Sequence, residues 1–171
     1  MTECPSIEAY IENTYPQWEA NQTDCDRKMV QEIPWSDWFA AWLEYSQADL
    51  PLAEKYELSL RLTDDGEITE LNSRYRQKDQ PTDVLAFAAL DNDPVPPSDL
   101  SQPLYLGDIA ISLDTAKEQA KEQNHSLSTE IAWLSSHGFL HLLGWDHPDP
   151  DSLEKMLQQQ ANLLKIVEIT E

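Results

Sequence analysis

Three of the four histidines of the chain lie within one short segment, His-Gly-Phe-Leu-His-Leu-Leu-Gly-Trp-Asp-His, at positions 137, 141 and 147. The apolar residues around them predict a helix, on which His137 and His141 share one face about one turn apart. Gly144 permits a sharp left-handed exit from that helix, so that His147 can return to the same point. The spacing therefore predicts a metal site with three imidazole ligands.

Three neutral imidazoles would leave the fourth position of a tetrahedral ion open to water, which is how a catalytic zinc site is built. Because these ligands cancel none of the positive charge of the metal, a bound water would be acidified toward neutrality and become a hydroxide nucleophile. The alternative is that the histidines are ordinary polar residues with partners. We disfavour it because burying two imidazoles on an otherwise apolar helix is costly.

The segment also lacks one chemical group that its spacing would lead us to expect. It agrees with the zinc-peptidase pattern H-E-x-x-H-x-x-G-x-x-H at every position but one. Gly138 stands where a peptidase carries its general-base glutamate, and glycine cannot accept a proton. We therefore predict that the ligand geometry is retained and that peptidase chemistry is absent.

Three other polar residues were considered for the site. Asp146 and Asp108 could each accept a hydrogen bond from a ligand imidazole. They could equally be a turn residue and a strand-end cap, and we place neither in the site. His125 is interpreted as a surface residue at the start of a helix.

The charge of the chain is strongly acidic, with 11 Lys and Arg against 32 Asp and Glu and a formal net charge of −21. Such a surface repels nucleic acid and anionic membranes at long range, and its simplest interpretation is solubility. Arg74, Arg76 and Lys78 form a local basic cluster within this acidic chain. Any anionic ligand would have to bind there.

Arg76 is the residue of this cluster that we favour for function. The helical period assigns Tyr75 to the buried stripe, so Arg76 is expected to lie off the core side near the helix end. A guanidinium can bind a phosphodiester through two hydrogen bonds and offset the charge of a pentacovalent transition state. Arg74 and Lys78 could steer a nucleic-acid backbone or be ordinary surface residues.

The elements that must position these residues follow from the apolar periodicity. Apolar patterning predicts strands within 5–12 and at 57–63, 84–87 and 104–112. Helices are predicted from Trp35 to before Pro51, over 64–77, from Ser112 to about Gln123, from Ser126 or Ser128 to Gly144, and over about 151–167. The second strand should bury Leu58, Leu60 and Leu62, and the first places Ile7, Ala9 and Ile11 on one side.

The remaining segments are predicted to be irregular. Residues 14–33 lack a clean period and are interpreted as a loop insertion, and residues 91–99 carry three prolines. Strands that alternate with helices before a helical C-terminal half favour one α+β domain over residues 1–171. We expect a mixed four-stranded sheet packed with helices, with a zincin-like active-site helix.

Composition excludes several classes of protein. No apolar run approaches the length of a membrane span, and the acidic N-terminus does not resemble a secretory signal. The two cysteines, Cys4 and Cys25, do not form a disulfide framework. These features predict a reducing, cytoplasmic setting.

The histidine segment resembles the signature of the YbeY family, bacterial metal-dependent endoribonucleases that act in ribosomal RNA maturation. Residues 71–87, Leu-Asn-Ser-Arg-Tyr-Arg-Gln-Lys-Asp-Gln-Pro-Thr-Asp-Val-Leu-Ala-Phe, resemble the second block of that family. Residues 106–112, Leu-Gly-Asp-Ile-Ala-Ile-Ser, resemble the third, and the resemblance covers about residues 55–165. Ala86 stands where the family usually has serine and Trp145 where tyrosine is common, and neither departure removes a ligand.

The resemblance implies that His137, His141 and His147 bind one metal ion per chain, with zinc favoured, and that Arg76 is the functional arginine of the groove. It implies a single-strand-specific endoribonuclease in ribosomal RNA maturation and ribosome quality control, in which a metal-bound hydroxide attacks the phosphodiester. The expected partners are single-stranded and ribosomal RNA and the small ribosomal subunit with its proteins, without DNA or membrane.

Two alternatives remain open at this point. The protein could be a non-catalytic ribosome assembly factor, in which a metal holds the fold and the acidic surface docks on basic ribosomal proteins. It could also be a zinc metallopeptidase, which Gly138 disfavours.

Overall fold

The computed structural model describes residues 6–15, 25–46, 50, 53–89 and 102–169. Within them lie the strands β1 (Ser6–Asn13), β2 (Lys55–Thr63), β3 (Val84–Ala88) and β4 (Leu104–Ser112). The helices are α1 (Cys25–Gln31), α2 (Trp35–Ser46), α3 (Asp65–Arg76), α4 (Leu113–Gln123), α5 (Leu127–Leu142) and α6 (Pro150–Ile166). The predictions for residues 91–99, for Cys4 and for residues 16–24 lie outside the described residues.

The four strands form one mixed sheet with the order β1-β2-β4-β3. β1 is parallel to β2 and β2 is parallel to β4, whereas β3 is antiparallel to β4. Leu58, Leu60 and Leu62 on the central strand β2 are fully buried, as their alternation predicts. The predicted α+β class with a mixed four-stranded sheet is confirmed.

The main core lies between one face of this sheet and the helices α2, α5 and α6. Phe39 of α2 contacts Phe139 of α5, with ring centroids 5.2 Å apart, and Trp42 also contacts Phe139 at 6.2 Å. The indole N–H of Trp42 donates to the carbonyl oxygen of Leu163 on α6 at 2.8 Å. The tryptophan-bearing helix α2 therefore docks on α5 and α6.

Several helices begin at the residues that the sequence indicates. Asp64, Ser112 and Ser126 are the N-caps of α3, α4 and α5. The Ser126 hydroxyl accepts a hydrogen bond from the backbone N–H of Thr129 at 3.2 Å, which decides between the two candidate caps, Ser126 and Ser128. Such a cap contributes about 1 kcal/mol to helix stability.

The predicted loop at 14–33 is wrong for residues 25–31, which form α1. Val30 at the end of this helix is buried in the main core, and Ile33 beyond it is buried as well. A helix this short is marginal alone in water and depends on tertiary packing. Its one-turn apolar face is too brief to produce a recognisable period.

Two side chains of other elements are more exposed than their period predicts. Ile11 is 38% exposed because β1 is an edge strand of the sheet. Tyr75, in the last turn of α3, is 56% exposed rather than buried, and its ring lies 5.1 Å from that of Phe87. Asn72 is the buried residue near that end of α3, and its side-chain N–H donates to the Gln80 carbonyl at 2.9 Å.

Tyr75 is exposed because α3 covers only a small apolar area of the sheet. On the face of the sheet opposite the main core, Ile68 of α3 packs with Leu85 and Ala110 in a separate small cluster. Leu71 is only partly buried against this cluster, and Tyr75, one turn further along α3, contacts the partly buried Phe87 at its edge. Among the described residues, no helix is long and apolar enough to cross a membrane.

Candidate metal centre

Helix α5 carries His137 and His141 and lies directly on the sheet. A Cβ atom added at Gly138 would be 2.8 Å from Cγ2 of Ile109 on β4, closer than real Cβ contacts. Glycine at this position therefore lets the helix approach the strand. Gly138, which stands where a peptidase carries its general-base glutamate, therefore also has a packing role. Any side chain at this position would have to displace Ile109.

The three histidine rings converge at the end of α5. The ring centroids of His137 and His141 are 4.7 Å apart, and the ring centroid of His147 lies 5.4 Å from that of His137 and 5.3 Å from that of His141. The Nε2 atoms of His137 and His141 are 3.1 Å apart, and one nitrogen from each of the three rings lies within 4.8 Å of the others. Two nitrogens bound to one tetrahedral zinc ion would be separated by about 3.3 Å. The donor set fits a single ion.

Gly144 produces the turn that returns His147 to the site. Its φ is +100°, in the region that favours glycine, and it follows the C-cap Leu143. The carboxylate of Asp146 accepts a hydrogen bond from the backbone N–H of His147 at 2.8 Å. This contact agrees with the interpretation of Asp146 as a turn residue.

Asp108 lies away from the histidines. It is exposed and accepts a hydrogen bond from the Tyr105 hydroxyl at 2.5 Å. Its neighbour Ile109 points toward α5, and successive side chains of a strand point to opposite faces. Asp108 is therefore on the other face of the sheet from the metal centre.

Burial keeps the helical histidines neutral. Burial, together with the neighbouring His137 and His147, lowers the pKa of His141 to about 4, against the opposing effect of a hydrogen bond with the Trp145 backbone. Burial also lowers the pKa of His137. At neutral pH both rings therefore offer the lone pair that a metal ligand needs.

The histidines lie in a cleft of about 600 Å³ that Arg76 also lines, at the end of α3. The charge of Arg76 lowers the pKa of His137, which reflects their proximity. The structure thus brings Arg76 and the three histidines together, although the burial assumed for Tyr75 was wrong. Arg74 and Lys78 are exposed and do not line this cleft.

Two residues next to the histidines, Asp83 and Gln160, carry no motif that marks them in the sequence. Asp83 lines the cleft, and its carboxylate accepts a hydrogen bond from the backbone N–H of Val84 at 2.7 Å. Gln160 on α6 is buried, and its Oε1 lies 3.0 Å from Nδ1 of His137. A signal for Gln160 exists, since it shares the buried stripe of α6 with Met156 and Leu163. A polar residue on such a stripe needs a partner.

The interpretation of His125 as a surface residue is wrong. Its side chain is largely buried, and its Nε2 lies 2.6 Å from Oε2 of the buried Glu130. Burial raises the pKa of Glu130, and His125 opposes that shift. His125 is thus a paired residue at the start of α5, because the chain between α4 and α5 folds onto the helix that follows.

Fold and site together define a class of protein. A mixed four-stranded sheet supports one helix that carries two histidines, a third histidine follows a glycine turn, and the three together could hold a metal ion.

The family model described as Endoribonuclease YbeY matches residues 19–168. The protein named Endoribonuclease YbeY from Trichormus variabilis is 59% identical over 141 residues, which are 82% of this chain and 80% of that protein. The protein of the same name from Cyanothece sp. is 61% identical over 134 residues, which are 78% of this chain and 79% of that protein.

The solution structure of TM1509 from Thermotoga maritima shares the fold. It has a TM-score of 0.54 and 22% sequence identity, and the match covers 94% of this chain and 89% of that chain. The chain belongs to the YbeY family of endoribonucleases, as the family match and the identities to its members establish. The resemblance of the three sequence blocks is thereby confirmed.

Proposed function

We propose that this protein hydrolyses single-stranded RNA at the three-histidine centre, with zinc as the metal and the maturation of ribosomal RNA as its role. The observation that carries the proposal is the meeting of three imidazoles and one arginine in a single cleft. Relatives more than half identical to the chain are named as endoribonucleases.

The ligand set supports zinc. Zinc is bound by neutral imidazoles in tetrahedral geometry, and a catalytic site keeps one position open. When bound, such an ion supplies Lewis acidity and lowers the pKa of a coordinated water molecule. His137, His141 and His147 would hold it. Imidazole ligands bring no negative charge, so the positive charge of the ion would remain available to the substrate.

Arg76 has a different task in this proposal. It comes from α3 and lines the same cleft as the histidines, so a substrate bound in that cleft can contact both. Its guanidinium can donate two hydrogen bonds to the non-bridging oxygens of the scissile phosphate. The same donors stabilise the negative charge that grows on those oxygens in the transition state.

A peptidase is not supported, since Gly138 supplies no general base and its position is filled by the contact with Ile109. A non-catalytic assembly role is the second candidate, and the specific observation that favours it is the net charge of −21. That charge opposes the approach of free RNA and suits a basic protein partner on the small ribosomal subunit.

Metal analysis combined with a cleavage assay separates the two candidates. We expect purified protein to contain about one zinc ion per chain and to cleave a single-stranded RNA oligonucleotide. A chelator should abolish cleavage, and added zinc should restore it. A DNA oligonucleotide of the same sequence is the control and should remain intact. Fully metal-loaded protein that cleaves no RNA would favour the assembly role.

Titrations against naked RNA and against small ribosomal subunits test the partner. We expect weak binding to naked RNA and tighter binding to subunits. With two or three phosphate contacts the logarithmic salt slope for single-stranded RNA should be only about −2. Tight binding to naked RNA with a steep salt slope would show that the groove outweighs the net charge, and the partner proposal would be wrong.

A further inference from the structure

Gln160 is a buried polar side chain whose two amide atoms both have partners. It belongs to α6 and is only 1% exposed. Its Nε2 atom donates to the carbonyl oxygen of Trp133 on α5 at 3.3 Å. Its Oε1 atom lies 3.0 Å from Nδ1 of His137. Gln160 therefore connects the backbone of α5 to one of the metal-ligating rings.

These two contacts determine the orientation of the amide. A backbone carbonyl can only accept a hydrogen bond, so the amide NH₂ group of Gln160 must face Trp133. The amide oxygen then faces His137, and it too can only accept. Nδ1 of His137 must therefore carry the hydrogen in this contact.

The position of that hydrogen decides the chemistry of the other ring nitrogen. In a neutral imidazole one nitrogen donates and the other accepts. With the hydrogen on Nδ1, Nε2 of His137 is left with its lone pair, and this is the atom that lies 3.1 Å from Nε2 of His141. The lone pair thus points into the place where the three rings converge.

We propose that Gln160 is a positioning residue that holds His137 in the Nδ1–H tautomer, with Nε2 free to bind the metal. The inference rests on the metal centre proposed above. It also explains why a glutamine occupies the buried stripe of α6. His141 is held by a hydrogen bond with the Trp145 backbone, which substitution of a side chain does not remove directly. The support of His137 is a side chain and can be changed.

The tautomer of the wild-type protein gives a test that requires no substitution and no metal. In a long-range nitrogen–proton correlation spectrum of metal-free protein at neutral pH, Nδ1 of His137 should show the shift of a protonated nitrogen. Nε2 should show that of an unprotonated one. The opposite assignment would overturn the proposal, whereas failure of the protein to bind zinc would leave this spectrum unaffected and would refute only the metal centre.

Two substitutions at the same position separate positioning from packing. Gln160→Met keeps the size of the side chain but removes the acceptor, so we expect zinc affinity, measured by chelator competition, to fall about 10–100-fold. His137 should then populate both tautomers. Gln160→Glu keeps an acceptor for Nδ1–H but loses the donor to Trp133. Its zinc affinity and tautomer should remain those of the wild type while its melting temperature falls.

Gln158→Met, on the exposed side of the same helix, is the matched control and should change none of these quantities. Zinc affinity within twofold of the wild type in Gln160→Met would overturn the proposal. Equal losses of affinity in Gln160→Met and Gln160→Glu would do so as well, because they would indicate a purely structural role. If Gln160→Met does not fold, the spectrum of the wild-type protein decides.

Discussion

The metal centre has two parts that are built differently. His137 and His141 belong to α5, are partly buried, and have pKa values that burial lowers. His147 is more exposed than this pair and lies in the turn that follows Gly144. The helical part is continuous with the core, whereas the turn depends on the conformation of one glycine and on the contact of Asp146 with the backbone of His147.

This difference explains how the site can hold two histidine rings in fixed orientations and still admit a substrate. The helical pair is oriented before any metal arrives, because the packing of α5 determines where both rings point. The third histidine, His147, joins the pair from the more exposed turn. The cleft beside it remains open to a substrate. Changes in the helical part should therefore affect both folding and metal binding, and changes in the turn should affect mainly metal binding.

The largest expected effect is the loss of a helical ligand. His141→Ala should abolish stoichiometric metal, because it breaks the pair of ligands that α5 holds in place and the two remaining imidazoles hold an ion weakly. Elemental analysis of the purified variant measures this. His147→Ala provides the comparison within the turn, and it should retain a weak two-histidine site. Full metal content in His141→Ala would show that the metal lies elsewhere.

Substitution across the cleft should affect catalysis without affecting the ligands. Arg76→Glu should lower the rate of RNA cleavage about 100-fold or more, because it removes a donor to the transition state and adds repulsion. Its metal content and melting temperature should match those of the wild type. Arg74→Glu makes the same charge change in the same helical turn outside the cleft. Equal losses in the two variants would reduce the role of Arg76 to general electrostatics.

The packing of the helical part can be tested at its glycine. Gly138→Ala should lower the free energy of unfolding by about 1–3 kcal/mol, because the new methyl group clashes with Ile109. Gly66→Ala in α3 is the control, since its Cβ would meet Asp64 Oδ1 at an ordinary 3.4 Å. That control should be stabilising by up to about 1 kcal/mol. Urea unfolding in chelator measures both, and a stabilising Gly138→Ala would contradict close packing of α5 on the sheet.

The smallest expected effect is a dependence of stability on pH. The pKa of His141 is about 4 in the folded protein against 6.5 for an unperturbed histidine. Between these values the unfolded state binds a proton that the folded state does not, so the free energy of unfolding should fall as pH decreases from 6.5 to 4. Above pH 6.5 this contribution vanishes.

Urea unfolding of the metal-free protein at pH 7 and pH 5 provides the measurement. Carboxylates also titrate toward this range, so the informative quantity is the difference between the wild type and His141→Ala. The variant should lose less stability than the wild type between the two pH values. The same loss in both proteins would show that His141 titrates in the folded state as it does in the unfolded state.

Local patterns explain why much of the fold was predictable. The alternation at Leu58, Leu60 and Leu62 and the caps at Asp64 and Ser112 depend on neighbours within a few residues. The same patterns misled for Tyr75, because a helical period shows which residues share a face but not how much of that face another element covers. They missed α1 for a related reason, since its stability comes from the core beneath it.

The sequence by itself determined which residues could form the metal centre, because ligands four residues apart on a helix and a glycine after it follow from backbone geometry. Only the tertiary structure decided what surrounds them. Gln160 contacts His137 from a different helix, Arg76 lines their cleft from α3, and Gly138 contacts Ile109 on the sheet. These pairs are distant in sequence, and their proximity depends on the packing of whole elements, which local periodicity does not specify.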